Sequence, residues 1–214
     1  MNWTGQTLLA AIGLANGLFG IGLQWSLSMP ALQATGHNFL AANIHFLSYL
    51  TILSNTGLVL VYAGALFPAR GLAWARHPVM GGMMAGVIAL VLIFYHFLLA
   101  PLQDFEGPHL LATTLLHYVA PTLYLVWWVA FVPHGRLVWR NLPLMLVPTL
   151  VYFLYTLARG ALVAEYPYPP LDVVALGYER VFMNAFLVAL GLAVLCALSI
   201  LIDRLLGRNQ PIAP

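Results

Sequence analysis

The side chains in this 214-residue chain that could do chemistry fall mostly inside hydrophobic stretches. The densest series holds Asn43, His45, Ser48, Tyr49, Thr51, Ser54, Asn55 and Thr56. On one continuous helix Ser48, Thr51 and Asn55 share a face, with His45 and Tyr49 on the adjoining one. A second series, Thr113, His117, Pro121, Tyr124 and Trp128, forms one helical stripe. Pro121 has no amide proton to give the carbonyl of His117, so a bend beside the imidazole is expected. A third series is Tyr152, Tyr155, Thr156 and Arg159, and Asn184 and His96 add single polar groups to two further stretches. Polar groups at such positions need partners, because hydrocarbon offers none. Together they predict a polar cavity opening toward one membrane face. Arg159 carries a fork of donors suited to a lipid phosphate or carboxylate, or to an acid in a neighbouring loop. Ser48, Ser54 and Thr56 have a simpler use, bonding to carbonyls of their own helix.

The elements that must position these groups follow from composition. The chain is 62% hydrophobic and 7% charged, with a mean hydropathy of +0.91. A soluble chain carries roughly 25% charged residues, so this composition points to an integral membrane protein with the bilayer as solvent. There is no lysine and no basic run, which excludes a nucleic-acid grip. Cys196 is the only cysteine, so neither an intrachain disulfide nor a thiolate metal cluster is available. No arginine precedes Arg70, so the first apolar stretch reads as a retained helix.

Proline, glycine and charge divide the chain into six candidate spans, 8–29, 39–67, 79–100, 110–132, 142–163 and 177–201. The expected fold is an all-α polytopic bundle of six transmembrane helices in a single domain. Pro30 is expected to stop the first helix. Gly81, Gly82 and Gly86 should let the third approach a neighbour closely. The tail 209–214 is expected to fray. Six of the eight arginines (Arg70, Arg76, Arg136, Arg140, Arg204 and Arg208) fall on one side, and five of the six acids fall in the opposite loops. Short cytoplasmic loops carry the arginine excess, which predicts that both termini are cytoplasmic. Apart from Glu179 at the outer boundary of the sixth, no aspartate or glutamate falls within the six spans. On straight helices, Thr51 lies about 18 Å and His117 about 11 Å from the outer end.

Phe46-Leu47-Ser48-Tyr49-Leu50-Thr51-Ile52-Leu53-Ser54-Asn55 resembles the second-helix motif of the androgen-induced and androgen-dependent transmembrane protein family. His117-Tyr118-Val119-Ala120-Pro121 resembles its histidine motif, and Tyr166-Pro167-Tyr168-Pro169-Pro170-Leu171-Asp172 its aromatic-proline loop. The similarity runs from the second span to the sixth and is greatest to the bacterial branch, which implies a bacterial inner (plasma) membrane. Animal members are intramembrane threonine hydrolases acting on fatty acid esters of hydroxy fatty acids. The resemblance therefore implies Thr51 as nucleophile and His117 as base. Ile52-Leu53-Ser54-Asn55 departs from the animal pattern, which has a carboxylate there.

The implied reaction is ester hydrolysis through an acyl-threonine. The hydroxyl needs a base within about 3 Å, and imidazole can take its proton and return it to the leaving alcohol. Ser48, Asn55, Tyr152 and Asn184 are candidate oxyanion donors. His45, His96 and Arg159 are further candidate binding residues, and a carbonyl freed by Pro121 is a candidate orienter for His117. No cofactor is required, and the partner is a membrane lipid or fatty-acyl ester. Two alternatives remain open at this point. His45, His96 and His117 from three helices could hold a hydrolytic zinc, or the cavity could bind or transport a lipid or small molecule without reacting.

Overall fold

The computed structural model describes residues 4–208, and the expected fraying of the tail lies outside them. Every regular element among these residues is helical. Helix α1 spans Gly5–Ala34 and opens with a reciprocal cap between Thr4 and Thr7. It runs through Pro30 instead of stopping there. Unravelling at that point would leave backbone groups unpaired in an apolar medium, so the helix tolerates the proline.

The second expected span is not one helix. It consists of α2 (Phe39–Phe46) and α3 (Leu50–Leu66), which meet at a 77° bend. The linker Leu47–Tyr49 holds neither proline nor glycine. Ser48 breaks the helix by turning both its amide (3.0 Å) and its hydroxyl (2.6 Å) back to the His45 carbonyl. Tyr49 then adopts extended backbone, ψ 127°, and α3 restarts with no side-chain cap. The bend voids the straight-helix depth of Thr51. It also places that residue second in a helix, where amides lack an intrahelical acceptor.

Helix α4 (Pro78–Phe94) continues through a π turn, Tyr95–Leu99, and a short 3-10 turn to Leu102. Helices α5 (Gly107–Thr114) and α6 (Ala120–Phe131) are joined by a second π turn, Leu115–Val119. Helix α7 covers Leu142–Val163, matching its expected bounds. Helix α8 covers Val173–Gly207 and kinks at Gly177 (φ +74°), the residue expected to begin it. Five of these segments are long and apolar enough to cross a membrane, and the bent α2–α3 pair is a sixth when taken as one span. The fold is an all-α, multi-pass membrane bundle.

Helix α4 is the most buried element. A Cβ on its Gly86 would meet the Cys196 sulfur of α8 at 2.7 Å and one on Gly82 would meet Leu137 at 2.5 Å, so the close approach expected of the glycine series is shared between α8 and the loop before α7. Beside it Tyr62, Tyr124 and Trp127 pack their rings with centroids 5.2–5.8 Å apart. Helix α8 runs past its expected end and carries an acid that the sequence reading placed outside the spans. Asp203 is buried, and its Oδ2 accepts the amides of Gly135 (3.1 Å) and Leu137 (2.7 Å) while Oδ1 faces His134 Nδ1 at 3.3 Å. The Trp127 indole donates to the Gln6 carbonyl at 3.1 Å. The start of α1, the end of α6 and the end of α8 thus share the arginine-bearing end of the bundle.

Candidate functional site

The break before α3 and the π turn after α5 bring together the two residues implied as a pair. Thr51 Oγ1 lies 3.2 Å from His117 Nε2. His117 Nδ1 donates to the Thr113 carbonyl at 3.1 Å. A carbonyl only accepts, so Nδ1 carries the proton and Nε2 presents its lone pair to the threonine hydroxyl. The orienting carbonyl is that of Thr113, one turn earlier, and not the one expected from Pro121. The π turn explains the difference. Ala120 donates to Leu115, so with no proton on Pro121 the leftover acceptor is Leu116. Asn55 fills that vacancy with its side-chain amide (3.2 Å), which also bonds the Thr51 carbonyl (2.8 Å). Tyr95, on the facing π turn, stacks on the imidazole with centroids 3.9 Å apart.

One further group reaches Thr51, and the sequence reading gave it no role. Tyr168, in the loop between α7 and α8, accepts the Thr51 amide at 3.3 Å and lies 3.4 Å from Oγ1. Burial holds its phenol above the usual range, so it is a neutral donor. The four expected oxyanion donors are engaged elsewhere. Ser48 bonds the His45 carbonyl at the end of α2, Asn55 bonds the two carbonyls above, Tyr152 donates to the Ser48 carbonyl (2.9 Å) and Asn184 to the Pro170 carbonyl (2.9 Å). Ser54 and Thr56 bond within α3, as the simpler reading had it.

Two cavities meet at this group. The first, about 520 Å³, is walled by aliphatic and aromatic side chains of α4, α7 and α8, and Leu150, Leu154 and Phe186 on its rim are more than half exposed. It therefore opens between α7 and α8 onto the lipid-facing surface. Its size falls within the roughly 300–1,000 Å³ of small-molecule sites. The second, about 550 Å³, lies toward the acid-bearing end and includes Gln24, Ser28, His45, Gln103, His109 and Thr113. Thr51, Tyr95, His117 and Tyr168 line both.

The remaining candidates do not reach the pair. Arg159 lines neither cavity and instead holds Glu165, with Nη2 at 2.5 Å from the carboxylate and Nη1 at 3.0 Å from its backbone carbonyl. Of its two expected uses, pairing with a loop acid is the one observed. Glu165 also takes His37 Nε2 and His45 Nδ1, each at 2.9 Å. His45, Arg159 and His37 pull this carboxyl down to about 2. His96 is bonded to Tyr118 (3.2 Å), so His45, His96 and His117 have three separate partners and do not converge on one ion. Among the described residues, only His37, His45 and Glu165 bring ligand atoms within 4.8 Å of one another. The guanidinium already on that carboxylate opposes a second cation there.

The loop carrying Tyr168 is thus fastened at Glu165, and again where Tyr166 lies on Gly160 with no room for a Cβ between them. No family model, curated protein or solved structure matches the chain.

Proposed function

We propose that the chain is an intramembrane lipid ester hydrolase with Thr51 as nucleophile and His117 as general base. The observation that carries this reading is the 3.2 Å contact between the Thr51 hydroxyl and an imidazole whose other nitrogen is tied to Thr113. The ester's acyl chain enters the apolar cavity from the bilayer, and Thr51 Oγ attacks its carbonyl carbon. His117 takes the hydroxyl proton at Nε2 and returns it to the leaving alcohol oxygen. The Thr51 amide and the Tyr168 hydroxyl meet the developing oxyanion, a placement in which fixed donors are most effective. Water arriving through the polar cavity then splits the acyl-threonine by the same steps in reverse order.

The motif resemblance read from the sequence points to the same pair, and the apolar wall supports a fatty-acyl substrate. With the bent pair counted as one span, the arginine-bearing end faces the cytoplasm and both termini lie there, in a bacterial-type plasma membrane. The site then opens toward the outer leaflet. The test is covalent trapping. A long-chain fluorophosphonate should label the purified protein on Thr51, and Thr51→Ala should abolish both label and turnover of a long-chain ester. Unchanged hydrolysis by Thr51→Ala overturns the mechanism.

A further inference from the structure

The two cavities meet at Thr51 and His117, and their walls differ. The apolar cavity suits hydrocarbon. The other sets amide, hydroxyl and imidazole groups from Gln24, Ser28, Gln103, Thr113 and His109 among apolar side chains such as Leu27 and Phe105, and no arginine, aspartate or glutamate lines it. Gln24 Nε2 donates to Ser28 Oγ at 3.0 Å, which leaves the Gln24 carbonyl oxygen and a second amide proton for a ligand. Arg159, which reaches the Glu165 carboxylate beside His45, is already spent on that acid.

Resting on the hydrolase reading above, we infer that this second cavity is the alcohol pocket, and that the alcohol is small, neutral and hydroxylated. The substrate class is a single-chain acyl ester of a polyol, glycerol being the simplest. An alcohol half bearing phosphate or carboxylate would be desolvated with no countercharge, which costs several kcal/mol. A second acyl chain would find Leu27 and Phe105 to pack on but would strip Gln24, Ser28 and Gln103 of water without replacing their hydrogen bonds. Hydroxyl groups do replace them, since each both donates and accepts. In the first step the bond from Thr51 Oγ to the acyl carbon forms and the bond from that carbon to the polyol oxygen breaks. The threonine proton passes through His117 to the polyol. Water then releases the fatty acid, so one ester and one water give one acid and one polyol.

The experiment has a turnover arm and a binding arm, both with the full chain in phosphatidylcholine nanodiscs. Monopalmitoylglycerol, its 3-phosphate and methyl palmitate are compared as substrates. Monopalmitoylglycerol should exceed its phosphate by about tenfold or more in kcat/KM. Gln24→Leu should narrow the ratio of glycerol ester to methyl ester, through KM. In the binding arm, hexadecylglycerol ether and hexadecyl phosphate are added to Thr51→Ala. The ether should raise its melting temperature and the phosphate should not. A phosphate that binds or turns over as well as its neutral counterpart overturns the pocket assignment while leaving the hydrolase reading intact. Ether preference with no ester hydrolysed by the wild type sinks the hydrolase reading and leaves the pocket.

Discussion

The side-chain amide of Asn55 stands 3.2 Å from the carbonyl of Leu116, the one contact in which a side chain of α3 replaces a backbone partner that the π turn has lost. The same amide holds the Thr51 carbonyl, so one residue fixes the spacing between the threonine and the histidine that follows Leu116. Asn55 is fully buried, and it is a positioning residue. Asn55→Leu is expected to leave the Leu116 carbonyl short of a donor, while the Thr51 carbonyl keeps the Ser54 hydroxyl at 3.1 Å, and to cost about 1–3 kcal/mol of stability. If it acts through Thr51, the rate of fluorophosphonate labelling should fall by more than the melting temperature accounts for, with KM for ester little changed.

Tyr168→Phe removes a hydroxyl and keeps the ring that packs against Tyr49 and Phe94. Folding should be preserved. Loss of one oxyanion donor costs about 10²-fold in kcat or more, and a drop of that size with near-normal KM is the expected result. Steady-state hydrolysis of a methyl ester checks it.

Glu165 supplies a pH dependence with a definite sign. Its carboxyl lies at about 2 in the folded chain, against an ordinary value of 4.5, because His45, Arg159 and His37 favour the charged form. The stability this confers is present above pH 4.5 and is lost as pH falls from there toward 2. Melting temperature should therefore drop across that window in the wild type. In Glu165→Gln it should start lower at neutral pH and change less on acidification.

At the other end of the bundle, Asp203→Ala would strip two loop amides of their acceptor and leave His134 without its partner. Removing one member of such a buried group costs about 3–5 kcal/mol. The expected outcome is a lower melting temperature and poorer recovery from the membrane, while protein that does fold retains its labelling at Thr51.

The hydrophobic stretches made the fold legible, because a bilayer leaves the backbone few options and span lengths follow from thickness. Prolines misled where helices ran through them, at Pro30, and where a π turn shifted the freed carbonyl by one residue, at Pro121. The break at Leu47–Tyr49 had no signal of its own, since Ser48 makes it by local back-bonding and serines at other positions do the same within intact helices. Thr51 and His117 were found through motif resemblance, and their contact needed the bend. Tyr168 lay in a loop already singled out, but nothing in its spacing tied it to a threonine 117 positions earlier.

The packed rings of Tyr62, Tyr124 and Trp127 fill the bundle on the side away from the two cavities. These rings close the bundle where they pack. On the hydrolase reading, acid and alcohol would therefore leave through the two cavities, into the leaflet and water layer that supplied the ester.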